Sequence, residues 1–234
     1  MWCKNVCSFG ENMKNIVCIK WGHLYSAEDV NMLEYMLKQT VTYPFQLYCL
    51  TDDCFGINRS IEIISLPKDN DLEGHWNKMY LFNKDIMKLN NFTYFDLDVI
   101  IQNNIDDILD YEKRLTLIKA WWKKSEVWKN TFNSSVMSID TTRDAYVWGR
   151  FIENTDYHMC KNIGDDDFLF NNFEFDHYQQ SWFYSRVYGE EKTKTRYYKP
   201  EKKICLLNSM KKFYPKEYYK LFVELYPEYQ YQQS

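Results

Sequence analysis

The first hundred residues alternate short apolar runs with helical periodicity, and that alternation narrows the architecture to one class. Ile16-Val-Cys-Ile-Lys20 reads as a strand. Ser26, with Asp29 three residues on, reads as a helix cap, and Val30, Leu33 and Leu37 follow at helical spacing. Phe45-Gln-Leu-Tyr-Cys-Leu50 and residues 61–65 read as strands, residues 76–88 as a second helix, and residues 91–95 as a fourth strand. Strands separated by helices and short loops need crossover connections. They predict a single α/β domain, a Rossmann-like, mixed but mostly parallel sheet flanked by helices. Ligands of such sheets bind beyond the carboxyl ends of the strands. The loops at residues 20–25, 51–53 and 96–98 fall at those ends.

The second half is less regular. Residues 133–139 and 204–207 read as strands, and Ala145, Trp148 and Ile152 mark a helix. Residues 165–172 read as a short helix and 215–226 as an aromatic-rich amphipathic one. The expected organisation is a lead-in over 1–14, one domain over 15–228 and a frayed Tyr/Gln-rich tail over 229–234.

Hydrophobic residues make up 45% of the chain and charged residues 26%, which excludes disorder as the main state. The net charge of −4 argues against a broad nucleic-acid surface. Basic residues do gather late, at Lys192, Lys194, Arg196, Lys199, Lys202, Lys203, Lys211 and Lys212. Such a run is either a solvated face or a local attraction for a diphosphate or a membrane surface. Aromatic residues reach 18%, and such rings either fill cores or stack on sugars and bases.

The seven cysteines are odd in number and scattered. Cys3 and Cys7 have no second pair to complete a zinc site, while Cys18, Cys49 and Cys205 sit in apolar runs and read as buried thiols. That pattern suits a reducing compartment. No run approaches the ~20 apolar residues of a membrane span, and no apolar leader opens the chain. The sequon at Asn91 runs into a predicted core strand. Together these lead to the expectation of a cytoplasmic protein.

The sharpest chemical signal is Tyr94-Phe-Asp-Leu-Asp-Val-Ile-Ile101, two carboxylates inside an apolar run. Strand alternation puts Asp96 and Asp98 on one side and Leu97 in the core. Two carboxylates so close repel unless a positive group lies between them. A hard divalent cation, Mn²⁺ or Mg²⁺, answers that need and binds phosphate oxygens as well. Three weaker signals accompany it. Gly74-His-Trp-Asn-Lys78 opens a helix, where anions are favoured and Lys78 adds charge, although a capped surface helix reads the same. Gly164-Asp-Asp-Asp-Phe168 is a helix start or a source of a catalytic carboxylate. Asn133-Ser134-Ser135 is a polar strand opening suited to sugar hydroxyls.

In this order the segments resemble a family of small GT-A glycosyltransferases of bacteria and large DNA viruses. That family is distantly similar to the glycogenin and lipopolysaccharide galactosyltransferase group. The matching pieces are Val17-Cys-Ile-Lys-Trp-Gly22 with Tyr25, Cys49-Leu-Thr-Asp-Asp53 with Gly56-Ile57, and Trp76-Asn-Lys78 with Leu81-Phe82. They continue with Phe95-Asp-Leu-Asp-Val-Ile100, Phe132-Asn-Ser-Ser-Val-Met137 and Gly164-Asp165. The resemblance implies a nucleotide-diphosphate sugar as donor, UDP-linked by preference with GDP and dTDP as alternatives, and a glycan or other hydroxyl as acceptor. It implies a donor site from Lys20, Trp21, Gly22, Tyr25, Asp52, Lys78, Asp96 and Leu97, with the metal on Asp96 and Asp98. Trp76, Asn133 and Ser134 would face the transferred sugar or the acceptor. Asp165 and Asp166 would sit at the reacting centre, with Asp165 as base if the reaction inverts.

Two departures stand out. The family's last strand usually leads into Phe-His-Gly, whose histidine completes the metal shell, whereas this chain reads Ile204-Cys-Leu-Leu-Asn-Ser-Met-Lys-Lys212. Asn208 could supply an oxygen instead, and Lys211 or Lys212 could meet the diphosphate. Asp166 stands where the family usually has glutamine. Two other readings stay open. One is a haloacid-dehalogenase-type phosphatase, in which Asp96 is the nucleophile and Asp98 the acid. The other is a sugar-binding domain without turnover.

Overall fold

The computed structural model describes residues 13–111, 114–123, 130–189, 201–208, 210–213 and 215–229. Cys3, Cys7, the late basic residues from Lys192 to Lys199 and the tail beyond Tyr229 lie outside them.

The strands are β1 (Lys14–Lys20), β2 (Phe45–Thr51), β3 (Glu62–Ser65), β4 (Asn91–Phe95), β5 (Val99–Ile101), β6 (Thr116–Lys119), β7 (Phe132–Asp140), β8 (Asp176–His177), β9 (Phe183–Ser185) and β10 (Ile204–Leu206). The helices are α1 (Ala27–Thr40), α2 (Lys84–Met87), α3 (Asp106–Leu109), α4 (Thr141–Asp144), α5 (Tyr146–Ile152), α6 (Thr155–Lys161), α7 (Asp165–Asn172), α8 (Met210–Phe213) and α9 (Pro215–Leu225). A seven-stranded sheet runs β3-β2-β1-β4-β7-β6-β8, and a three-stranded sheet runs β5-β10-β9. In the large sheet β1, β2, β3 and β4 are parallel, β7 runs against β4 and β6, and β8 is parallel to β6.

The alternation along β1 explains why this sheet is covered on both faces. Ile16 and Cys18 pack into one core with Val30, Leu33 and Leu37 of α1, the small sheet and α9. Val17 and Ile19 pack into the other, with the segment from Trp76 to Phe82, α5 and α7. A parallel strand buried on both sides must be apolar throughout, which is how β1 reads. Ser26 and Asp29 form the expected cap, with the Ser26 N–H donating to Asp29 at 2.7 Å.

Four expectations are corrected. Residues 76–88 are not one helix: Gly74–Phe82 winds as a 3₁₀ helix and α2 follows. The Asn83 side chain accepts from the N–H groups of Asp85 and Ile86, capping α2 and ending the earlier segment. The core face of α5 is Val147 and Phe151, and Ile152 is 52% exposed. β1 begins at Lys14, inside the expected lead-in. Asn91 is exposed at the first position of β4, so burial does not exclude its sequon. Cys18, Cys49 and Cys205 are buried free thiols, as expected. Among the described residues, no helix is long and apolar enough to cross a membrane.

Candidate active site

β4 ends at Phe95, and the chain turns through Asp96, Leu97 and Asp98 before resuming as β5 in the other sheet. The Asp96 N–H still donates to the Ser135 carbonyl at 2.8 Å, while the Asp98 carbonyl accepts from the Leu207 N–H at 3.1 Å. The turn thus bridges the two sheets. Leu97 drops into the core, and the acids stay on the cleft side. The acids share a side, as expected, but a turn places them there rather than strand alternation. Below the turn, the buried Tyr218 of α9 reaches the Leu97 carbonyl at 3.0 Å and Asp29 at 3.2 Å.

The acids open onto a cleft of about 650 Å³ whose lining includes Lys78, Asn133, Ser134, Asp165, Asp166 and Asn208. Lys78, nearly buried, is its electrostatic centre. Its ammonium lies 2.8 and 2.9 Å from the two Asp96 oxygens, 3.1 Å from the Ser134 hydroxyl and 4.0 Å from Asp165. Burial alone would lower its pKa, but Asp165, Asp96 and Asp98 together hold it above its ordinary value. The Tyr94 hydroxyl also donates to Asp96.

Asp165 opens α7 and is almost fully buried, and its Oδ2 has no hydrogen-bond partner among the described residues. A buried carboxylate oxygen left in this way is an available acceptor. Asp166 pairs instead with Lys123. Burial pushes the Asp166 carboxyl up, Asp165 adds to that, and Lys123 opposes it. Asn208 follows β10 with a left-handed backbone, φ 51°, and its Oδ1 accepts from the Ser185 hydroxyl at 2.6 Å. A Cβ on Gly164 would come within 3.3 Å of the His75 ring, so glycine there permits the close approach.

The remaining site candidates form a second group at the ends of β1 and β2. Lys20 donates to the Asp53 carbonyl at 3.0 Å, and Asp52 accepts from the Gly22 N–H at 2.9 Å, which ties the two loops together. Gly22 has φ 58°, a conformation that favours glycine. Trp21 packs against the core. Burial, then the charges of Asp98, Asp96 and Asp29, push the Tyr25 pKa up. Lys211 is buried in an ion pair with Asp29 and lies over the rings of Tyr25, Tyr219 and Tyr218 at 5.1, 5.2 and 5.5 Å. It does not line the cleft.

Trp76 is not brought to the cleft either. It is 6% exposed and stacks on Phe151 at 5.6 Å, inside the core. The cleft is lined instead by Trp122, Lys123 and Tyr188, none of which sequence reasoning singled out, and by His75. The sequence Trp121-Trp-Lys123 carries no helical or strand period, and only its paired tryptophans offered a signal.

The oxygens on this cleft that suit a hard cation are those of Asp96, which also meets Lys78 and Tyr94, of Asp98, and the amide oxygen of Asn208. They are oxygens only, the set that suits Mg²⁺ or Mn²⁺. Among the described residues there is no group of three or more His, Cys, Asp or Glu suited to a metal, since the third donor here is an amide.

No protein-family model matches the chain, and no curated protein matches it in sequence. Solved structures do match. A galactosyltransferase, LgtC, crystallised with donor and acceptor sugar analogues, superposes with a TM-score of 0.65 at 13% identity, over 94% of this chain and 98% of that one. The glycosyltransferase GlyE of Streptococcus pneumoniae TIGR4 gives 0.62 at 12% identity, over 94% and 66%. The bifunctional glycosyltransferase WbbM gives 0.59 at 8% identity, over 86% and 46%. The fold is the GT-A fold. In this GT-A frame the acid turn sits at the carboxyl end of β4, where the sheet order predicts a ligand. These neighbours do not favour the phosphatase reading.

Proposed function

We propose that this chain transfers a sugar from a nucleotide-diphosphate sugar to a hydroxyl acceptor, with a divalent cation as its cofactor. The observation that carries the reading is the convergence, on one cleft, of Asp96, Asp98 and Asn208 with Lys78, Ser134 and Asp165. The donor would lie across the acid turn, its nucleoside towards Lys20, Trp21, Gly22, Tyr25 and Asp52 and its sugar towards Asn133 and Ser134. UDP-linked donors are preferred, GDP- and dTDP-linked ones are alternatives, and a glycan is the favoured acceptor.

Asp96, Asp98 and Asn208 would hold Mn²⁺ or Mg²⁺, which supplies Lewis-acid neutralisation of the leaving diphosphate. The protein's own groups do the rest. Lys78 gives a fixed positive charge beside the transferring sugar, paired in advance with Asp96 and so costing no reorganisation. In the transfer the acceptor oxygen bonds to the anomeric carbon, the bond from that carbon to the diphosphate oxygen breaks with its electron pair, and the acceptor loses its proton. Asp165, with one oxygen that no described residue hydrogen-bonds, takes that proton if the reaction inverts. If the reaction retains configuration, Asp165 steadies the positive charge on the sugar and the acceptor's proton passes to the departing diphosphate oxygen.

A thermal-shift screen of nucleotide sugars with and without Mn²⁺ tests the reading. A donor at about a hundred times its Kd stabilises the fold by about 2.7 kcal/mol. One or more donors should raise Tm in the presence of the cation. A screen in which no nucleotide sugar shifts Tm under either condition refutes the proposal.

A further inference from the structure

We infer that the stacked rings of Trp122 and Tyr188 form the wall against which the acceptor's sugar ring is seated, a subsite that rests on the glycosyltransferase reading above. The two rings lie 5.5 Å apart and within 8° of parallel. Trp122 follows β6 and Tyr188 follows β9, so two separate parts of the chain build the pair. Trp122 also meets the buried Trp121, edge to face at 4.7 Å. Tyr188 is 44% exposed, and both rings line the cleft that holds Asp165. The pair thus joins a ring packed on a buried tryptophan to one that is exposed. Aromatic faces of this kind bind apolar surface at little entropic cost.

The rest of the cleft says which ligand such a wall suits. The same cleft is lined by the polar groups of Asn133, Ser134 and Asp165. A pyranose has hydroxyls around its rim and an apolar C–H face, so an aromatic wall in one cleft with hydrogen-bonding groups matches it on both counts. The position separates this subsite from the donor's. Among the described residues, the cleft takes no lining from the β1 and β2 loops that would hold the nucleoside. The rings share the cleft with the acid turn and Asp165 rather than with those loops, which is where a second substrate would meet the reacting centre. Trp76, the tryptophan expected to face sugar, is in the core, and Trp122 takes over that part.

The test uses the full chain and its Trp122→Ala, Tyr188→Ala and Tyr188→Phe variants. Methyl β-galactoside, methyl β-glucoside, lactose and maltose are titrated by saturation-transfer NMR with UDP and Mn²⁺ present, and the nucleotide-sugar thermal shift is measured in parallel. The expected result is that both alanine variants weaken the best-bound glycoside about tenfold, that Tyr188→Phe binds it as the wild type does, and that the nucleotide-sugar shift is the same in all four proteins. Equal glycoside affinity in wild type and both alanine variants overturns the inference, as does a wild type that shifts with a nucleotide sugar yet binds none of the four glycosides. Ring-dependent glycoside binding without any nucleotide-sugar shift upholds the wall and refutes the transferase reading. Loss of both signals in the wild type refutes both.

Discussion

The hydroxyl of Tyr218 lies 3.0 Å from the carbonyl oxygen of Leu97, the residue between the two acids. Burial, then Asp29, push the Tyr218 pKa up, so the group remains a donor at physiological pH. A helix far along the chain thereby holds the backbone of the acid turn from below. Tyr218→Phe keeps the ring and removes the bond. It should lower stability by about 1 kcal/mol in urea denaturation. It should also weaken cation-dependent nucleotide binding. Unchanged binding in a variant that has lost that stability would separate the helix from the site.

Lys78 stands among three acids, and its removal leaves Asp96 and Asp165 facing each other without the ammonium. Lys78→Met should lower stability by about 3 kcal/mol, the low end for breaking a buried pair, because Asp96 keeps Tyr94. The pH dependence follows from the sign of the shift. A lysine raised above its unfolded value of about 10.4 contributes fully below that pH and loses the contribution only as pH rises through the higher folded value. The difference between variant and wild type in urea should therefore be the same at about pH 7 and about pH 9. A difference that disappears by the higher pH contradicts this account of Lys78.

The two tryptophans make a contrasting pair. Trp76→Ala removes a ring stacked inside the core and should lower stability by about 3–5 kcal/mol. Trp122→Ala removes a half-buried ring at the cleft wall and should lower it by under about 1.5 kcal/mol. Thermal unfolding of both variants checks the order, and a reversed order would show that Trp122 belongs to the core.

Glu34 anchors α1 to the loop between β2 and β3. It accepts from Asn58 at 2.9 Å and from Ser60, and it pairs with Lys38 at 2.7 Å. Burial would raise its pKa, but Lys38, Ser60 and Asn58 outweigh burial and hold it below its ordinary value. A lowered carboxyl contributes stability that is present above the unfolded pKa of about 4.3 and lost as pH falls through the folded one. Glu34→Gln should thus be less stable by about 1–2 kcal/mol at neutral pH, and the gap should close in acid. A gap that stays constant down to about pH 3 contradicts the assignment.

How much of this was legible in the sequence depended on whether local pattern or distant contact decided the outcome. β1, β2, β4 and α7 were readable because runs such as Val17-Cys18-Ile19 are apolar on both faces and the three acids after Gly164 suit the first turn of a helix. The acid pair was readable because two carboxylates inside an apolar run demand a reason. Residues 76–88 misled because the spacing of Trp76, Met79 and Tyr80 fits a 3₁₀ turn as well as an α-helix, and Asn83 decides between them by capping. Lys211 was expected at the diphosphate, but its buried partner Asp29 lies 182 residues away in sequence, beyond any local pattern. β6, β8 and β9 have four, two and three residues, too short to show a period, so Trp122 and Tyr188 could not be placed before the fold was known.

The most direct measurement is calorimetric titration of the nucleotide sugar selected by the thermal-shift screen into wild type and Asp98→Ala, each with and without Mn²⁺. The wild type should bind tightly only when Mn²⁺ is present, and Asp98→Ala should bind weakly whether or not Mn²⁺ is added while unfolding at a similar temperature. Mn²⁺-enhanced binding that survives intact in Asp98→Ala would contradict the placement of the cation and the donor at this turn.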